Sequence, residues 1–192
     1  AMDARELMAT YEDELTTAIQ AIDPVNFEKA LEILTQAYRD DRQVFVFGNG
    51  GSAATANHFV CDFGKNAVRG NRRRFRMISL SESTAKITAL GNDIAYEEIF
   101  RQQLINLMRP GDVGIAISAS GNSPNVVRAC QYVKELDGKL ITLAGFRGGA
   151  IAPMADAALV ARMESYERVE DIHLIELHMI VCYFKEHQEL LA

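Results

Sequence analysis

The sequence predicts an α/β fold, a five-stranded parallel sheet flanked by helices and preceded by an N-terminal helical pair. Three observations predict it. Short runs that are apolar on both faces, among them Val44 to Phe47, Val113 to Ile117 and Leu140 to Leu143, are the pattern of strands covered on both sides. Stretches with helical periodicity separate them, and this alternation implies right-handed crossovers and a parallel sheet. Glycine and serine clusters also sit where strands give way to helices, as at Gly48-Asn49-Gly50-Gly51-Ser52.

In chain order, residues 3–20 and 24–39 read as helices, with Asp23-Pro24 suited to a helix start. A strand at 43–47 leads into a helix from Ser52 to about Gly64. A polar loop through Arg74 leads to a strand at 76–80, and Ser81 and Ser83 open the next helix. Residues 96–108 read as one helix ended by Pro110-Gly111, followed by the strand at 113–117. Pro124 starts a helix to about Leu136. A strand at 140–143, a Gly-Phe-Arg-Gly-Gly turn, a strand at 158–161 and a last helix over 167–190 complete the chain. The expected organisation is one domain over 1–192, with helices in 1–40 and the α/β core with its C-terminal helix in 41–192.

Composition narrows the function. With 192 residues, 48% of them hydrophobic, the chain can bury a sizeable core. A net charge of −6 argues against nucleic acid as a partner, and Arg72-Arg73-Arg74 reads as a solvated loop. No apolar stretch approaches a membrane span, and residues 1–11 lack the basic-then-apolar order of a signal peptide, so no membrane partner and a cytoplasmic location are expected. Cys61, Cys130 and Cys182 lie far apart in apolar helical contexts and read as buried thiols.

Two loops carry the chemistry. Gly48, Gly50 and Gly51 allow a sharp turn that brings backbone N–H groups close to a ligand, and Ser52 can cap the helix that follows. Ser118-Ala119-Ser120-Gly121-Asn122-Ser123 precedes a second helix, which Ser123 can cap. In a parallel sheet both loops lie at the carboxyl ends of strands, where ligands bind. Hydroxyls and helix N-termini cradle phosphate without a lysine. A serine-capped helix alone would account for Ser123 but not for Ser118 and Ser120.

Gly48-Asn49-Gly50-Gly51-Ser52, Asn92-Asp93 and Ser118-Ala119-Ser120-Gly121-Asn122-Ser123, in this order and spacing, resemble the sugar isomerase (SIS) domain and, within it, the phosphoheptose isomerases. The resemblance covers nearly the whole chain. It implies interconversion of sedoheptulose 7-phosphate and D-glycero-D-manno-heptose 7-phosphate by a homotetramer with sites between subunits and a divalent metal, zinc in particular. It assigns substrate contacts to Asn49, Gly50, Gly51, Ser52, Asn92, Asp93, Ser118, Ala119, Ser120, Ser123 and Glu170. It assigns the metal to His58, Asp62, Glu170 and His178, and acid/base work to Asp62 and His178. Two residues depart from the family pattern, Asp62 standing for a glutamate and Glu170 for a glutamine. His58 and Asp62 are four apart, on one helix face. Glu167 matches an acidic position near the site, whereas His173 and His187 match none. A non-catalytic SIS protein, such as a sugar-phosphate sensor or a factor that binds the replication initiator, is the alternative. Retention of His58, Asp62 and His178 favours the enzyme.

Overall fold

The computed structural model describes residues 2–192. Helix α1 (Ala4–Gln20) opens with a capping box, in which Asp3 accepts from the backbone of Arg5 and Glu6 while Glu6 accepts from the backbone of Asp3. It buries no residue and leaves Leu7, Met8 and Ile19 exposed. In α2 (Pro24–Arg39), Asp23 caps, Pro24 fills the first turn, and Leu31, Leu34 and Tyr38 face the core.

Strands β1 (Gln43–Gly48), β2 (Arg76–Ser79), β3 (Val113–Ser118), β4 (Lys139–Gly145) and β5 (Ala157–Ala161) form one parallel sheet in the order β2-β1-β3-β4-β5. Strand alternation sorts the core. Val44, Val46, Ile115, Ile117, Ile141 and Leu143 pack on one face, while Phe45, Phe47, Ala116 and Leu140 pack on the other. On the first face, α3 (Gly50–Asn66) lies beside α7 (Tyr166–Glu186), joined by Phe63 against Phe184 at 5.5 Å between ring centroids. The second face carries α6 (Pro124–Glu135) and α5 (Arg101–Leu107), and α4 (Thr84–Asp93) lies beyond them. The chain leaves β1 for β2 on one side and returns to β3 on the other, so the crevice at the carboxyl ends of β1 and β3 is the switch point of the sheet.

Several expectations are corrected. Helix α3 begins at Gly50, two residues before the expected start, so Ser52 lies inside the first turn and does not cap it. The expected helix over 96–108 is broken into a single turn at Tyr96–Glu98 and then α5. Glu98 sits at the break, buried, and accepts from Arg101, Gln102 and Arg128. The Arg128 contact holds its carboxyl below the usual range. The last helix stops at Glu186, and Gln188 beyond it ties back to Ala67 and Arg69. Among the cysteines only Cys130 is buried, its thiol pushed up to about 12 by burial, whereas Cys61 and Cys182 are exposed on α3 and α7. The arginine run lies in an exposed loop, as expected, and its guanidinium groups also bind backbone carbonyls. Arg72 donates to the Gln188 carbonyl, Arg73 to that of Tyr38 and Arg74 to that of Lys65, each near the end of a helix. No helix among the described residues is long and apolar enough to cross a membrane.

Candidate active site

Both special loops converge on the switch point. A Cβ at Gly48 would lie 2.6 Å from the Ile117 carbonyl oxygen and 2.8 Å from the Ser52 Cβ, so glycine is what lets β1, β3 and the first turn of α3 meet. Asn49 takes the N-cap position of α3 without a side-chain capping bond. Its amide instead pairs reciprocally with that of Asn125, at 2.8 and 2.9 Å, and Asn125 is buried. This pair locks one loop to the other. In the second loop, Gly121 (φ +66°) donates to the Ser118 hydroxyl at 3.1 Å, and a Cβ there would strike the Gly148 carbonyl oxygen at 2.4 Å.

The result is a cleft of about 130 Å³ lined by Asn49, Ser52, Ser118, Ala119, Ser120, Ser123, Tyr166 and Glu170. Ser123 holds the N-cap position of α6 as expected, but its hydroxyl makes no capping bond. The N-termini of α3 and α6 both open here, and among the described residues no lysine or arginine lines the cleft. Four serine hydroxyls and two helix ends are a donor set for a phosphate. Gly51 faces Glu170 so closely that a Cβ would lie 2.8 Å from its carboxylate.

A second cluster lies further along the same two helices. His58 Nε2 is 3.0 Å from Asp62 Oδ2 and 3.1 Å from His178 Nε2, and His178 Nε2 is 3.6 Å from that same carboxylate oxygen. Zinc with bonds of 2.0–2.1 Å in tetrahedral geometry would separate its ligands by roughly 3.3–3.4 Å. The three donors therefore fit one ion and leave a fourth position open. Glu170 does not join them, which corrects its assignment as a fourth ligand within one chain. It precedes His178 by two turns, about 12 Å of helix, and its carboxylate is held beside Gly51.

Asn92 and Asp93 are also not brought to the cleft. They end α4, exposed, with the Asn92 amide donating to Asp93 at 2.8 Å. Glu167 is exposed and accepts from the Ser165 hydroxyl. His173 is structural, its Nε2 donating to the Ala144 carbonyl at 2.9 Å, and burial lowers its pKa to about 4. Tyr166 and Asn125 belong to the site without having been singled out in the sequence. Tyr166 carried no signal, whereas Asn125 closes the serine loop.

The SIS domain family profile matches residues 10–145. A phosphoheptose isomerase from Helicobacter pylori (strain P12) is 31% identical over 183 residues, 95% of this chain and 94% of that protein. One from Helicobacter hepaticus is 36% identical over 166 residues, 86% of this chain and 80% of its own length. Among solved structures, phosphoheptose isomerase from Neisseria gonorrhoeae superposes with a TM-score of 0.87 at 30% identity, covering 96% of this chain and all of that one. On the profile match and these relatives, the chain belongs to the SIS domain family, on its phosphoheptose isomerase branch.

Proposed function

We propose that this protein is a ketose–aldose isomerase that interconverts sedoheptulose 7-phosphate and D-glycero-D-manno-heptose 7-phosphate through an enediol. One observation carries the reading. The serine-lined cleft opens at the N-terminus of α3, and the His58, Asp62 and His178 cluster lies further along α3 and α7. Their separation is seven residues on α3 and eight on α7, about 10–12 Å of helix, which suits an extended sugar phosphate anchored at one end and reacting at the other.

The cradle fixes the phosphate, so binding energy remote from the reacting carbons orients them. Isomerisation then moves a proton from C1 of the ketose to C2, while a proton is delivered to the C2 oxygen and another is withdrawn from the C1 oxygen. Asp62 has one oxygen in the cluster and the other, Oδ1, 3.7 Å from Lys65. That second oxygen is the base for the carbon-bound proton. His178 has Nε2 in the cluster, and its imidazole serves the substrate oxygens. A divalent ion, zinc by the donor set, would be held by His58, Asp62 and His178 and would polarise the carbonyl oxygen.

The assembly proposed is a homotetramer with sites between subunits. His58 and His178 are about half exposed, and Leu7, Met8, Ile94 and Tyr96 offer apolar surface with nothing over it among the described residues. Light scattering is expected to give four chains per particle, with a monomer at micromolar concentration contradicting the shared site. A second reading, a sugar-phosphate binder without turnover, is favoured by Glu170, whose carboxylate occupies a cleft otherwise built for an anion. A coupled assay over phosphorylated ketoses separates the two, because only the isomerase yields aldose.

A further inference from the structure

Asn49 lines the serine-lined cleft, and the way its carboxamide is turned decides whether a ligand there meets an oxygen or an N–H group. That orientation is dictated from behind the cleft. Asn125, in the first turn of α6, is 1% exposed and does not itself line the cleft. Its Oδ1 accepts from the backbone N–H of Val126 at 2.9 Å. A backbone N–H can only donate, so it fixes which side of the Asn125 carboxamide carries the oxygen. The same oxygen accepts from Asn49 Nδ2 at 2.8 Å, and Asn125 Nδ2 donates to Asn49 Oδ1 at 2.9 Å. Turning either amide over would set oxygen against oxygen and nitrogen against nitrogen.

A second donor holds Asn49 from another side. The Tyr96 hydroxyl donates to Asn49 Oδ1 at 3.4 Å, so both lone pairs of that oxygen are taken. Tyr96 belongs to the single turn Tyr96–Glu98, and Glu98 accepts from Arg128 of α6 at 2.6 Å. Arg128 stands one helical turn beyond Asn125, so the two elements that grip Asn49 are tied to each other. Of the two N–H bonds on Asn49 Nδ2, one goes to Asn125 and the other has no partner among the described residues. The hydrogen-bonding capacity left to the Asn49 side chain is therefore one donor and no acceptor.

We infer that Asn125 is a positioning residue which, acting through Asn49, presents one preset N–H group to an oxygen of the bound phosphate. The inference rests on reading the cleft as the phosphate cradle, and it holds whether or not the bound sugar is turned over. A cleft that no lysine or arginine lines depends on neutral donors. Each such donor contributes most when it is held in place before the ligand arrives, because no rotamer freedom is then lost on binding. Without Asn125 the Asn49 amide could present its oxygen as readily as its N–H, and an oxygen turned towards an anion repels it.

The test is calorimetric titration of the whole protein with inorganic phosphate, with denaturant melts on the same samples. Asn125→Ala should bind phosphate about tenfold or more weakly than wild type, the loss of one charge-assisted hydrogen bond. Asn49→Ala should bind about as weakly, and adding Asn125→Ala to it should cost less than about twofold more, because the second residue acts only through the first. A purely structural Asn125 would lower the melting midpoint with Kd unchanged, or would multiply the losses in the double variant, and either result would overturn the inference. So would a wild type that does not bind phosphate. Should Asn125→Ala fail to fold, NMR of wild type isotope-labelled on asparagine carries the test. The two Asn49 amide protons, identified by their absence in Asn49→Ala, should be distinct, and only one should shift as phosphate is added; equal shifts of both would overturn the inference. Phosphate affinity is read without turnover, so a protein that showed this pattern but yielded no aldose would sink the isomerase reading alone.

Discussion

His178→Asn is expected to lower kcat about 10²–10⁴-fold, the loss typical of a removed acid or base, with KM for the sugar phosphate changed little. Asparagine is smaller but sits on the half-exposed side of α7 and disturbs none of the core contacts that Leu177 and Ile180 make one and two positions away. It cannot exchange a proton. The phosphate cradle lies two turns away and should hold substrate as before. Asp62→Asn removes the other partner and should behave alike, and the double variant should lose little more than either single one, because the two act in one proton circuit. Steady-state kinetics check this, and either variant retaining wild-type kcat would remove its residue from the chemistry.

Gly121→Ala is expected to lose phosphate binding almost completely and to destabilise the fold by about 2–5 kcal/mol, from a left-handed backbone penalty of about 1–2 and overpacking of about 1–3. The added Cβ would meet the backbone of Gly148, with Gly149 close behind, which cannot rotate away as a flexible side chain could. The serine loop would have to move as a unit. Ser120→Ala is the control, since Ser120 Oγ accepts only from its own loop, at Asn122 N. It should unfold like wild type yet bind the sugar phosphate about 1.5–3 kcal/mol more weakly, the worth of one charge-assisted hydrogen bond. Denaturant melts together with calorimetry read both effects. Wild-type binding by Gly121→Ala would show that the loop does not form the cradle.

How much of this was legible in the sequence follows from the range over which each signal acts. Strands β1, β3 and β4 could be read because each is a short run buried on both faces, a pattern that little besides a covered strand produces. The two loops could be read because glycine and serine directly follow those strands, and His58 with Asp62 because positions four apart share a helix face. Contacts between distant segments left no local trace. The Asn49–Asn125 pair spans 76 positions, and nothing near either residue announces it. Glu170 and His178 lie on the same helix and resemble ligands of one ion, yet the packing of α3 against α7 sends Glu170 to Gly51 and His178 to His58. Exposure misled in the same way. Cys61 and Cys182 sit among apolar neighbours, but the face each occupies depends on the rotation of α3 and α7 about the Phe63–Phe184 contact. The arginines at 72–74 are solvated as they look, but the distant helix-end carbonyls they bind leave no local trace.

The most direct test of the central claim is incubation with sedoheptulose 7-phosphate in D2O, followed by NMR. An enediol route through Asp62 and His178 predicts an aldoheptose 7-phosphate that carries solvent deuterium at C2, with both product and label lost in His178→Asn. Saturable binding of sedoheptulose 7-phosphate by the wild type with neither aldose nor deuterium incorporation would contradict the isomerase account and leave a sugar-phosphate binder built on the same fold.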